Sequence, residues 1–149
     1  MKRFAVIGNP IAHSLSPIIY KEVCRQLDLN ASFEKIHLMP NALHSFMNVN
    51  ELDGFNVTIP YKQSVIPFLD ELDESAQTIG AVNCVHDGKG YNTDWTGFTK
   101  AMEQNGVSLS GKDYLILGAG GAARAIAFGL VKFGAKSISI KNRTQSKAD

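Results

Sequence analysis

Short apolar runs broken by turn-forming residues, alternating with stretches whose apolar positions recur every three to four residues, give this chain the pattern of an α/β protein. Residues 4–7, Phe-Ala-Val-Ile, form a continuous apolar run stopped by Gly8-Asn9-Pro10, which predicts a buried strand leading into a loop. Ser16-Pro17 predicts a helix start, with Ser16 as N-cap and Pro17 in the first turn, where a missing N–H is harmless. Ile19, Val23 and Leu27 follow at four-residue spacing and are expected to form the stripe that faces the core. Residues 32–38 predict a second strand, and residues 41–52 a helix carrying Leu43, Phe46 and Met47. Phe55-Asn56-Val57-Thr58-Ile59 alternates, so Phe55, Val57 and Ile59 are expected on one side of a strand and Asn56 and Thr58 on the other, with Pro60 as terminator. Helical segments are expected over 63–72 and 74–80, then a hairpin over 81–94 turning at Asp87-Gly88-Lys89-Gly90. A helix over 95–105 should stop at Gly106.

The pattern then starts afresh. Residues 107–112 are polar and loop-like, and the expected domain boundary falls there, giving domains 1–106 and 107–149. Tyr114-Leu115-Ile116-Leu117 is a continuous apolar run of the kind found in parallel sheets, followed by a glycine-rich turn, a helix over 124–133 closed by Gly134, and a strand over 137–140. This is one β-α-β unit, whereas a doubly wound dinucleotide domain has two such halves. The fold class is therefore α/β: an N-terminal α/β domain with a mixed sheet, then the first β-α-β unit of a Rossmann-type domain.

Composition narrows the function classes. The 149 residues carry a net charge of +1, and their 15 Lys and Arg are scattered, so the basic footprint of a nucleic-acid binder is missing. The two cysteines, Cys24 and Cys84, lie in no metal-ligand spacing and read as buried thiols; neither a disulfide framework nor a metal site is signalled. The apolar run after Met1-Lys2-Arg3 is too short for a signal peptide, and no stretch is long enough to span a membrane. A cytoplasmic protein is expected.

The spacing Gly118, Gly120, Ala123 fits G-x-G-x-x-A between a predicted strand and a predicted helix. The chemistry asks for a tight turn at Gly118, close backbone approach of a pyrophosphate at Gly120, and a small side chain at Ala123 where helix and strand pack. Free N–H groups and the helix dipole then attract the anion. After the second strand, where an NAD enzyme commonly carries a carboxylate, this chain has Lys141-Asn142-Arg143-Thr144 and then Lys147. Cations there suit a ribose phosphate, which points to NADP, with Thr144 available to cap the next helix. A glycine turn without ligand and a solvated basic loop are the plain alternatives.

Polar side chains in the first domain suggest a second site. Ser14 and Ser16 place two hydroxyls at a helix start, suited to a small carboxylate, although Ser16 could serve only as a cap. Thr58 lies on the polar face at the end of the strand at 55–59 with Lys62 just past it, Asn83 sits in Gly80-Ala81-Val82-Asn83, and Asp94 ends the hairpin; each alone has an ordinary structural reading. Taken together, Gly8-Asn9-Pro10, Ser14-Leu15-Ser16-Pro17, Asn56-Val57-Thr58-Ile59-Pro60-Tyr61-Lys62, Gly80-Ala81-Val82-Asn83, Asn92-Thr93-Asp94-Trp95-Thr96-Gly97, Gly118-Ala119-Gly120-Gly121-Ala122 and Asn142-Arg143-Thr144 resemble the shikimate dehydrogenase family in order and register. The resemblance implies reversible NADPH-dependent reduction of 3-dehydroshikimate to shikimate, a step of aromatic amino acid biosynthesis. It implies Ser14 and Ser16 on the substrate carboxylate, and Thr58, Lys62, Asn83 and Asp94 on the ring hydroxyls and reacting oxygen. Lys62 would act as general acid with Asp94 orienting it, and Glu74, Gly118, Ala119, Gly120, Gly121, Ala122, Asn142, Arg143, Thr144 and Lys147 would attend the cofactor. Lys147 replaces the arginine usual in the family, keeping charge but losing the planar fork. Residues 1–149 alone are expected to show little catalysis, because the half that contacts nicotinamide is not among them. A non-catalytic shikimate-binding role, a quinate-acting relative and a homodimer are the alternatives left open.

Overall fold

The computed structural model of the protein describes residues 1–144 and 146. It divides into two compact units, one formed by residues 1–73 and 82–91, the other by 74–81 and the described residues from 92 onward.

The first unit is built on a six-stranded sheet, ordered β2-β1-β3-β5-β6-β4. Its strands are β1 (Lys2–Gly8), β2 (Ala31–His37), β3 (Gly54–Val57), β4 (Glu71–Leu72), β5 (Cys84–His86) and β6 (Lys89–Tyr91). β1 runs parallel to β2 and β3, while β5 is antiparallel to both β3 and β6, so the sheet is mixed as expected. Ala5, Val6 and Ile7 of β1 are buried, as a strand flanked on both sides requires.

Helix α1 (Ser16–Gln26) connects β1 to β2, but it has no buried residue. The expected core stripe does not face the sheet: Ile19 and Leu27 are 58% and 63% exposed. The helix is rotated by about one residue, so that the Tyr20 ring stacks on Phe33 at 4.0 Å and reaches toward Phe4, with half-buried Cys24 one turn later. An aromatic stack on the strand outweighs the aliphatic stripe in deciding which side packs. Ser16 is likewise not the cap. It is the first helical residue, Leu15 precedes it in a helical conformation, and no side chain caps the end.

The other departures have local causes. β3 ends at Val57, and Ile59, expected inside with Phe55 and Val57, is 69% exposed because the chain has already turned toward the cis Ile59–Pro60 peptide. Residues 63–72 hold no α-helix; Pro67 confines helical geometry to one 3₁₀ turn, Ile66–Phe68, and Leu72 pairs with Gly90 as part of β4. The helix expected over 41–52 is shorter, a 3₁₀ turn Pro40–Ala42 followed by α2 (Leu43–Val49). The hairpin turns on Asp87 and Gly88 alone, with φ of 47° and 73°, the two-residue turn that suits strand twist; Lys89 and Gly90 already belong to β6. Cys84 is half-buried, and burial pushes its thiol above the usual range, which fits an inert structural cysteine.

The second unit contains α3 (Glu74–Ile79), α4 (Asp94–Gln104), β7 (Asp113–Leu117), α5 (Gly121–Lys132) and β8 (Ser137–Lys141), with β7 and β8 parallel. Leu109, Ile116 and Leu130 form its core with Phe98, Met102, Ala123 and Ile138 around them. A Cβ on Gly129 of α5 would stand 2.9 Å from Thr99 Cγ2 of α4, so these helices cross closely. Leu109 is 5% exposed and anchors the otherwise exposed segment 107–112 to this unit, to which α4 also belongs. The compact units thus divide the chain by packing, whereas the 1–106 and 107–149 division follows the order of the ligand motifs.

Candidate active site

The polar side chains of the first unit gather at one edge of its sheet, the carboxyl ends of β1 and β3. This is where open α/β sheets commonly bind ligands. β1 ends at Gly8, and the loop that follows carries Ser14 and Ser16. Both are half-buried, and the Ser14 hydroxyl lies 3.1 Å from that of Ser16 and accepts the Ser16 N–H at 3.3 Å. Two hydroxyls are therefore held side by side at the start of α1.

Thr58 directly follows β3. Its N–H donates to the Ile7 carbonyl at 3.0 Å, and its methyl group covers Gly8, where an added Cβ would come within 2.6 Å of it. Lys62, half-buried, is held through its backbone, its carbonyl accepting the Val82 N–H at 2.7 Å. Tyr61, only 2% exposed, anchors the preceding residue by donating its hydroxyl to the Leu38 carbonyl. Asn83 is 8% exposed, and its carbonyl accepts the Val57 N–H at 2.8 Å, which extends the β3–β5 pairing by one step. Ser14, Ser16, Thr58, Lys62 and Asn83 are thus arranged around two adjacent strand ends of one unit. Sequence reading missed Gly8 as the residue that lets Thr58 approach and Tyr61 as the anchor of Lys62; the glycine before Asn9-Pro10 was the available signal for the first.

The second unit holds the remaining candidates. Asp94 opens α4 and is half-buried, while Glu74 opens α3 and is exposed. The glycine loop connects β7 to α5: Gly118, with φ of 116°, donates its N–H to the Lys141 carbonyl at 2.8 Å and so lies beside the end of β8. A non-glycine residue would be strained there. Among the described residues, and apart from each glycine's chain neighbours, nothing lies within 4 Å of a Cβ built on Gly118 or Gly120, so the backbone of the loop is open to approach there. Ala123 packs into the core cluster, as the motif demands. Asn142, Arg143 and Thr144 follow β8, and the Asn142 amide donates to the Thr144 carbonyl at 2.7 Å, curling the segment. Arg143 is exposed. Lys147, and the helix that Thr144 was expected to cap, lie outside the described residues. The glycine loop and the basic turn are neighbours because Leu117 and Lys141 are paired across the two strands. An open glycine cradle beside a cation fits a dinucleotide phosphate. Among the described residues no group of three or more His, Cys, Asp or Glu could hold a metal ion, and no helix is long and apolar enough to cross a membrane.

A mixed sheet with hydroxyls, an amide and a lysine at its carboxyl edge, followed by a strand, glycine loop, helix and strand, defines the class: an α/β protein with a dinucleotide-type β-α-β unit. The family described as the shikimate dehydrogenase substrate binding domain matches residues 6–85, and the chain belongs to the shikimate dehydrogenase family. A shikimate dehydrogenase (NADP(+)) of Caldicellulosiruptor bescii is 40% identical over all of this chain and 55% of its own length. The crystal structure of shikimate dehydrogenase from Aquifex aeolicus is 41% identical with a TM-score of 0.90, covering 99% of this chain and 58% of that one. The Thermus thermophilus enzyme in complex with NADP(H) and shikimate is 40% identical with a TM-score of 0.84, over 99% and 58% of the two chains. The chain therefore spans a little over half the length of the relatives it matches.

Proposed function

We propose that this chain supplies the substrate-binding site and the start of the cofactor site of an NADP-dependent dehydrogenase that interconverts 3-dehydroshikimate and shikimate. The observation that carries the reading is the convergence of Ser14, Ser16, Thr58, Lys62 and Asn83 on the carboxyl ends of β1 and β3, within a chain of this family. The Thermus thermophilus relative, solved with NADP(H) and shikimate, supports the choice of ligands.

Ser14 and Ser16 hold the substrate carboxylate, and Thr58 and Asn83 hold ring hydroxyls. In the reducing direction Lys62, as an ammonium, gives a proton to the carbonyl oxygen while the carbonyl carbon gains a hydride; the C=O becomes an alcohol and Lys62 is left as the amine. In the oxidising direction the proton returns to Lys62. By the chain's likeness to the family, Asp94 is assigned to the substrate. The nicotinamide cofactor, when bound, supplies or accepts the hydride. Its pyrophosphate would rest on residues 118–122, with Glu74 near the cofactor, and its ribose phosphate on Asn142, Arg143, Thr144 and Lys147.

The test is shikimate-dependent reduction of NADP, followed at the NADPH absorbance band, by the product of the reading frame that carries this sequence. Turnover with shikimate supports the reading; binding without turnover, or turnover with quinate alone, overturns it. Arg143→Ala in that protein should raise KM for NADP about tenfold or more, the worth of one charge-assisted contact, and leave KM for NAD nearly unchanged. Equal losses with both cofactors would remove Arg143 from the ribose phosphate.

A further inference from the structure

Asn92 is a residue the site assignment leaves without a role. It is 3% exposed, and its planar amide uses both ends. Nδ2 donates to the Ala81 carbonyl at 2.8 Å, and Oδ1 accepts the N–H of Asp94 at 3.1 Å. The carbonyl of Asn92 in turn accepts the Ser75 hydroxyl at 3.2 Å. These contacts all lie within the second unit: the side chain ties the loop at Ala81 to the start of α4, and the backbone carbonyl of the same residue holds α3. Thr93 precedes helix α4 in a helical conformation and makes no side-chain cap hydrogen bond to it. An acceptor two residues upstream replaces the cap, in the manner of an Asx-turn. Only a side chain with a donor and an acceptor on one plane, at this length, satisfies both partners; Asp lacks the donor and Ser lacks the reach.

We propose that Asn92 is a positioning residue for Asp94, setting where the Asp94 carboxylate stands by holding its backbone N–H. This rests on the role given to Asp94 above. If Asn92 is removed, the Ala81 carbonyl, on a residue that is 0% exposed, loses this donor, and the first turn of α4 is free to shift. A misplacement of about 1 Å in a catalytic group can cost on the order of a hundredfold in rate. Asp94 itself stays chemically intact, so the loss should appear only through it.

The experiment is a double-mutant cycle in the product of the reading frame, with kcat/KM for shikimate and the thermal midpoint measured for Asn92→Ala, Asn92→Ser, Asp94→Ala and Asn92→Ala with Asp94→Ala. Asn92→Ala should lower kcat/KM about tenfold or more, and should add nothing once Asp94 is gone, because coupled residues are non-additive. Asn92→Ser can still accept the Asp94 N–H but cannot reach Ala81. It should recover most of the activity while melting as low as Asn92→Ala, a split that a purely structural role would not produce. Losses that simply add in the double variant, or activity that follows the melting midpoint across Ala and Ser, overturn the proposal. If Asn92→Ala does not fold, a folded Asn92→Ser as impaired as Asp94→Ala overturns it, and one within about threefold of wild type, a difference of less than 1 kcal/mol, supports it. Full activity in Asp94→Ala would instead remove the reading of Asp94, and this inference with it.

Discussion

Lys62→Ala, in the product of the reading frame, should reduce kcat for shikimate oxidation by about 10²- to 10⁴-fold while KM changes only a few-fold, the signature of a lost general acid–base. The backbone at Lys62 is fixed by the Val82 N–H on its carbonyl and by the Tyr61 hydroxyl on Leu38, neither of which uses the lysine side chain. Lys62→Arg should not restore turnover, because a guanidinium does not give up its proton at ordinary pH. Steady-state kinetics with shikimate and NADP decide the matter: turnover near the wild-type rate in Lys62→Ala would transfer the proton step to another group.

Gly8→Ala should destabilise the first unit by about 1–3 kcal/mol, the range for overfilling a packed site, and weaken shikimate binding with it. The new Cβ would stand 2.6 Å from Thr58 Cγ2, 2.9 Å from Ile11 Cδ1 and 3.1 Å from the Ile59 carbonyl oxygen. The two side chains can rotate, but the Ile59 carbonyl accepts the Asn9 N–H at 2.9 Å and closes the loop over β1. Relief must therefore come largely from Thr58, whose hydroxyl is assigned to the substrate. Gly8→Val should be worse than Gly8→Ala in both respects. Denaturant unfolding and shikimate titration of the same samples check the coupling; an unchanged midpoint together with unchanged affinity would mean that the strand ends are looser than their spacing indicates.

These two residues differ in how visible they are before folding. Lys62 stands in a motif whose neighbours announce it, with Thr58 at a strand end and Pro60 closing the strand. Gly8 reads only as a turn residue, because its function is a contact with a side chain fifty positions away. Asn92 is similar: its partners Ser75, Ala81 and Asp94 lie on three separate stretches of chain, and nothing in Asn-Thr-Asp says that the amide will be buried between them.

Local chemistry therefore determined the alternation of strands and helices, the glycine loop between β7 and α5, the basic turn after β8, and the family. The first three rest on residues close together in the chain, where backbone preference and turn geometry act directly, and the family on the order of several such motifs. Which way a segment faces was decided only by tertiary structure. The aliphatic stripe of α1 lost its expected place to Tyr20 because Phe33 on the neighbouring strand offers a ring to stack on, and Ile59 was turned outward by the chain's exit from β3. Packing also decided that Leu109 and α4 join the second unit, since their partners Leu130 and Gly129 arrive later in the chain. Periodicity tells a segment that it has an apolar side; the area and shape of the surface it meets decide which residues occupy it.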